Sequence, residues 1–382
     1  MVFAMQQLLL SWFLVGKLEL PATQVGFIQA VIGVPGVFLM LLGGAAADRQ
    51  DPRSMLLRAY LLGPIFPFAL AAYTHQTGLD VPAVLIWGLG MSIVQAMSMP
   101  AQQALLSRIA GQGVQRAVTM ATVVTFVVQV MGLGLAGMMD TIGVPVVLSF
   151  QGLALGLSAL SLVWIAPVAV SPSSEESQLQ RIIEGFEATR QNPVVLQTTI
   201  INFVSGIFNA GSFFTVFPFI VKRVYDGDEV TLAIVMAIFF AGAAISNLIL
   251  FRFQPLRAPG RVFLVMQLSR VIVLALLYVK GDLWLLVLAS LLWGVNMGVT
   301  SNLARSIVQE CAPAEFRGRI MAVFSISLMG TAPIGALVLG VLVESVGTLN
   351  ALWPAMLISV VLFAYGWYKR QVWAYQSASA VE

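Results

Sequence analysis

Twelve apolar stretches follow one another from residue 2 to residue 368, and most are long enough to cross a lipid bilayer. They lie near 2–16, 24–47, 55–74, 82–104, 117–139, 143–167, 194–221, 230–252, 261–279, 283–306, 318–343 and 350–368. A helix needs about 20 mostly apolar residues to span the hydrocarbon core. Pro35, Pro64, Pro67, Pro100, Pro218 and Pro333 fall inside these stretches; neighbouring helices can satisfy the backbone groups that proline frees there. Of the 382 residues, 59% are hydrophobic and 10% charged, and mean hydropathy is +0.92. Soluble domains carry about 25% charged residues, so this chain lacks the polar skin that water demands. The pattern predicts an all-α membrane protein with twelve transmembrane helices. The first stretch opens at Met1 without a polar lead and is short, so the first helix is expected to be truncated. It lacks the charged start and the small-residue cleavage site of a signal peptide.

Charge gives the orientation. With loops numbered alternately, fifteen of the 20 Lys and Arg fall on one side and four, Lys17, Lys222, Arg223 and Lys280, on the other; Arg270 sits inside a span. Positive charge collects on the cytoplasmic side, which puts both termini in the cytoplasm of a cell with an inner (plasma) membrane location. The net charge of +3 is thus a topology signal and calls for no nucleic-acid partner.

The longest polar segment, "SPSSEESQLQRIIEGFEATRQNP" at 171–193, has helical spacing of Leu179, Ile182, Ile183 and Phe186. It suits an amphipathic helix on the cytoplasmic surface. The chain divides there into an N-terminal six-helix bundle (1–167), a linker (168–193), a C-terminal six-helix bundle (194–370) and a cytoplasmic tail (371–382). The halves echo each other. "QRAVTMATV" (115–123) and "FRGRIMAVF" (316–324) both open the fifth span of their half, with Arg116 matching Arg317, Met120 matching Met321 and Ala121 matching Ala322. Two pseudo-symmetric halves about an axis along the membrane normal describe one large transporter class.

Specific motifs carry the comparison further. "GGAAADRQDPR" (43–53) resembles the loop between spans two and three of the major facilitator superfamily, with Gly44, Asp48, Arg49 and Arg53 at the motif positions and Ser54 at its last basic one. "SMPAQQALLSRI" (98–109), "CAPAEFRGRIMAVFS" (311–325) and "GTAPIGALVLGVLVESVG" (330–347) are similar to its enterobactin-exporter and drug-antiporter branch. Antiporters of that branch often carry Gly-Pro in span five, where this chain reads "MGLGLAG" (131–137). The resemblance implies the major facilitator fold and transport by alternating access. It also implies that Asp48 faces the N-terminus of span eleven near Arg317 when the cytoplasmic side is shut. A carboxylate gains about 0.3–1 kcal/mol at a helix N-terminus, and Arg49 or Arg53 can hold it in place. The alternative is that these are topology charges in a solvated turn.

In this fold the first and fourth helices of each half line the central cavity. The candidates there are Gln6 and Gln7 on span one, Met91, Gln95 and Gln102 on span four, Asn202, Asn209, Phe213 and Phe217 on span seven, and Trp293 and Asn296 on span ten. Amides, aromatics and methionine without fixed charge suit a bulky amphipathic solute, since such surfaces adapt their packing. The same amides can serve only to hydrogen-bond neighbouring helices. Arg270 lies nine residues past Arg261, about 13 Å along a helix. A charge at that depth marks function or an internal pairing, with backbone carbonyls, an amide or an anionic substrate as its partner. Asp140 and Glu344 sit in corresponding places at the outer ends of spans five and eleven and are read as rim charges. Lys17, Glu19, Asp226, Asp228 and Glu229 are read as exposed loop residues.

One Cys, Cys311, and one His, His75, leave no metal cluster and no disulfide, and no acid–base or nucleophile constellation for an enzyme. No cofactor is expected, and no glycine pattern here makes a phosphate loop. The resulting expectation is a monomeric secondary transporter in contact with the lipid bilayer. It would export amphipathic small molecules, such as drugs or siderophore-like compounds, with H+ as the coupling ion on the strength of the resemblance. A nutrient importer, a uniporter and a non-transporting membrane scaffold are the alternatives.

Overall fold

Helix boundaries follow from local chemistry. Asp51 and Asn192 both precede a proline at the first helical position. Asp51 accepts from Arg53 N and Ser54 N at 3.2 Å, and Asn192 from Val194 N and Val195 N at 3.2 Å. Each side chain satisfies donors that a helix start leaves orphaned, and proline costs nothing there because its position needs no N–H. At the other end, Gly78, Gly143 and Gly347 follow helices with φ of 88°, 92° and 91°, a conformation that side chains disfavour.

The computed structural model describes residues 1–49, 51–110, 114–165, 178–253 and 256–377, without the side chains of 40–49, 107, 108, 110, 114–120, 122, 123, 178, 179 and 181. Among the described residues the regular structure is all helical. Nine helices there are long and apolar enough to cross a membrane, and Val2–Lys17 and Val124–Gly137 are shorter apolar helices. The remaining apolar stretch forms Leu352–Lys369. The polar linker also holds a helix, Gln178–Gln191. The third span is broken at Gly63 and Pro64 into Pro52–Leu62 and Ile65–Thr77, as an internal proline requires.

The chain forms two units: Met1–Glu175 with Asp226–Ile234, and Glu176–Tyr225 with Val235–Glu382. In the first, the side chains of Met5, Leu8, Leu9, Phe13 and Leu14 on the first span are buried. Phe13 packs 5.8 Å from Trp87. The Trp87 indole donates to Gln151 Oε1 at 3.3 Å, and Gln151 Nε2 donates to Val2 O at 3.2 Å. In the second, Phe263, Leu264, Leu303, Ile307, Ile320 and Phe324 centre one apolar core. The short turn Gln371–Ala374 packs onto it through Val372, whose N–H donates to Gln197 Oε1 at 2.8 Å. Large apolar side chains such as Leu157, Leu160, Leu248 and Leu357 remain on the surface, where a bilayer and not water would meet them.

Small residues set the closest helix approaches. A Cβ on Gly211 of the seventh span would lie 2.5 Å from Gly335 O, and one on Gly335 of the eleventh would lie 2.3 Å from Ile207 O. Gly294 and Gly298, four apart in "GVNMG" of the tenth span, meet Phe239 O and Ser246 Oγ of the eighth at 1.9 and 2.1 Å from such a Cβ. Membrane helices associate through backbone approach of this kind.

The first and seventh spans share an unusual ending. The first closes in a π-helical turn, Phe13–Lys17, and the seventh in two, Ser212–Val216 and Ile220–Val224. Two residues past the final turn each carries an acidic residue at positive φ, Glu19 at 48° and Asp226 at 51°. In the seventh span the wide turns flank Pro218, which can donate no hydrogen bond to the turn before it.

Candidate functional site

The seventh span (Pro193–Val224) carries a polar seam. Thr199, Asn202, Ser205, Asn209 and Ser212 recur at steps of three or four and so share one side of the helix. Thr199 Oγ1, Asn202 Nδ2 and Ser212 Oγ are buried with no hydrogen-bond partner among the described residues. A buried polar atom without a partner costs about 1–3 kcal/mol. A seam that keeps three of them holds hydrogen-bonding capacity its own fold does not consume. Ser205 and Asn209 are committed. Asn209 Oδ1 accepts from the Trp293 indole at 2.6 Å, and Ser205 donates to Gln267 Oε1 at 3.1 Å.

Beside the seam stands an aromatic cluster. Phe213 stacks on Phe239 with centroids 4.0 Å apart and on Phe217 at 5.7 Å. Trp293 meets Phe213, Phe217 and Phe239 edge-on at 5.5, 5.7 and 6.0 Å. These geometries are the favoured ones for π systems. The rings fill their own space, so the cluster supplies a rigid apolar wall. It brings Asn209, Phe213, Phe217 and Trp293 of the sequence candidates together and adds Phe239, which the sequence reading missed.

Arg270 and Asn296 form the second grouping. Arg270 Nε and Nη2 donate to Asn296 Oδ1 at 3.3 and 3.2 Å, and Nη1 donates to Gln267 Oε1 at 3.1 Å and to Ser205 Oγ. Asn296 Nδ2 donates to Met266 O at 2.6 Å and Ser269 Oγ at 2.8 Å. The network ties the seventh, ninth and tenth spans. Of the partners left open by the sequence, the amide is the one observed. Gln267 and Ser205 were not singled out from sequence, although Gln267 lies one turn before Arg270 and Ser205 falls between Asn202 and Asn209.

Gln6 and Gln95 lie in the first unit. Gln6 is buried with Oε1 unpartnered, and Gln95 is partly accessible on the fourth span. Arg317 is exposed at the first position of the helix Arg317–Val346. The second span is helical to Arg49, but the side chains of Gly44, Asp48 and Arg49 lie outside the described residues, and the Asp48 contact with them. Arg53 Nε and Nη2 donate to the carbonyls of Leu162 and Val163 at 2.9 and 3.1 Å, capping the end of the sixth span. Glu229 is not an exposed loop residue but opens the eighth span with 5% exposure. Its carboxyl lies beside that of Asp140, and Asp140 pairs with Lys17. Tight packing explains the burial, since Gly137 lies against Ala233 and the Glu229 carbonyl.

Among the described residues no group of three or more His, Cys, Asp or Glu could hold a metal. A seam of amide and hydroxyl groups beside aromatic rings can grip a solute by hydrogen bonds at one edge and by flat apolar contact at the other.

A family profile described as transmembrane secretion effector matches residues 3–379. No curated protein matches the sequence. Among solved structures the chain is similar to the nucleoside transporter NupG, at 15% identity and a TM-score of 0.76, covering 97% of this chain and 98% of that one. A bacterial homologue of the human lysosomal transporter Spinster, inward-facing and unoccupied, aligns at 11% identity and a TM-score of 0.73, covering 98% and 95%. A POT family transporter in complex with a thioalcohol-conjugated peptide aligns at 13% identity and a TM-score of 0.73, covering 97% and 93%.

Proposed function

Since this chain belongs to the transmembrane secretion effector family of major facilitator transporters, we propose that it exports amphipathic small molecules by alternating access, driven by the proton gradient. The transporter fold and the membrane-spanning helices stand on the family and on its solved structural neighbours. The polar seam of the seventh span carries the substrate reading. Asn202, Thr199 and Ser212 keep unpartnered polar atoms on the helix whose next turns bear Phe213 and Phe217. A solute with hydrogen-bonding groups and a flat apolar body supplies what that face lacks. A peptide or a nucleoside, as handled by the structural neighbours, would be one polar extreme of that class; a drug-like or siderophore-like compound is the amphipathic middle.

The proton reading draws support from Glu229 and Asp140. Proton relays in membranes are built from Asp and Glu side chains, and these two lie side by side at the end of a span, next to Lys17. Rocking of the two helical halves about the solute would then expose it to one side at a time.

The test is an accumulation screen of dyes, antibiotics and siderophores in cells with and without the gene, repeated after the proton gradient is collapsed and with Asn202→Leu at equal surface expression. Export predicts lower accumulation of at least one amphipathic solute, lost on collapse of the gradient and reduced at least threefold by Asn202→Leu. Higher accumulation would make it an importer, insensitivity to the gradient a uniporter, and no change for any solute a scaffold.

A further inference from the structure

We propose that the guanidinium of Arg270 holds a small monoanion, either a halide or the carboxylate end of an organic solute, inside the C-terminal half of the chain. Arg270 is 4% exposed, and its acceptors among the described residues are all neutral: Asn296 Oδ1, Gln267 Oε1 and Ser205 Oγ. A guanidinium has five N–H groups, and these contacts use four, leaving one on Nη2. Amide oxygens satisfy hydrogen bonds but carry no countercharge, and an ion left unneutralised inside a helix bundle is penalised heavily.

The neighbours cannot turn to relieve this. The amide nitrogen of Asn296 is held by Met266 O and Ser269 Oγ, and that of Gln267 donates to Phe263 O at 3.4 Å. Both oxygens are therefore fixed toward the cation, and Ser205 spends its proton on Gln267. A separate observation points the same way. Asn202 Nδ2 is buried without an acceptor among the described residues, one turn from Ser205 on the same side of the seventh span. An unneutralised cation with a spare N–H and an amide nitrogen without an acceptor have one remedy in common, a negatively charged acceptor. Access is short: Asn202, Val204 and Gly206, which flank Ser205, are partly accessible, so Arg270 lies one side chain beneath a reachable face. A single positive charge matches a single negative one.

Binding is read without transport, so this inference and the export reading fail separately. The purified protein in detergent is held at constant ionic strength in sodium isethionate, a sulfonate, which is replaced stepwise by chloride or by acetate while the unfolding temperature is measured. A saturable rise with either small anion is expected, abolished in Arg270→Gln and shifted to at least threefold higher half-saturation in Asn202→Leu. A response to chloride assigns the site to the free ion; a response to acetate with chloride inert assigns it to the carboxylate of an organic solute. An unfolding temperature that ignores anion identity, or a saturable rise that persists in Arg270→Gln, overturns the proposal. If Arg270→Gln does not fold, Asn202→Leu decides, and unchanged half-saturation there overturns it.

Discussion

Arg53 stands at a motif position beside a charged turn and also serves the end of another span. Its guanidinium closes the sixth span by donating to the carbonyls of Leu162 and Val163. Arg53→Ala is expected to lower stability by about 1–2 kcal/mol, the net worth of charge-assisted bonds that are partly solvent-screened. Arg53→Lys, which cannot span both carbonyls from a planar fork, should recover less than half. Thermal unfolding of the purified variants checks both, and wild-type stability in Arg53→Ala would remove the capping role. Arg270 was legible from sequence because one charge in an apolar run is conspicuous. Its partners were not, since serine and glutamine are ordinary in spans and gain meaning only from the helix opposite. Glu229 was misread for a related reason: it follows Asp226-Gly227-Asp228, a turn by composition, and its burial comes from a helix elsewhere in the chain.

At the scale of elements, the helices themselves were plain in the sequence. Apolar length set the spans, and in the structure the Asp-Pro and Asn-Pro pairs at 51–52 and 192–193 open two of them. The contacts between spans were less so. Gly294 and Gly298 advertise a close approach by their spacing, but only the fold shows that the eighth span fills the notch. Gly294→Ala puts a methyl group where Phe239 O now lies, so the two spans must part. Overpacking of this kind costs about 1–3 kcal/mol. Gly134→Ala, at a helical position with nothing within 4 Å of the new carbon, should be neutral or stabilising by up to about 1 kcal/mol through helix propensity. Comparing unfolding temperatures of the two variants tests the packing directly; equal behaviour would mean that the tenth span is not held by its glycines. The π-helical turns had no sequence signal beyond Pro218, because the width of a helical turn depends on what its neighbours allow.

For the whole molecule, the loop-charge bias makes a topological statement that labelling can check. In a chain with Cys311→Ala, an impermeant thiol reagent added to intact cells should label Lys280→Cys but not Arg190→Cys, and permeabilised cells should show both. The reverse pattern would invert the orientation, and labelling of both in intact cells would break the alternation of spans. The repeat that the sequence suggested through Arg116 and Arg317 has a stronger counterpart at the other end of the bundles. The first span of each half ends in a wide turn followed by an acidic residue at positive φ. Such a turn stores one residue more than ordinary pitch requires. Were it to relax, everything beyond it would swing through about 100° around the helix axis, carrying Lys17 off the side where it meets Asp140. The bond between those two charges would therefore report winding at this turn, kept while the turn is wide and lost were it to tighten.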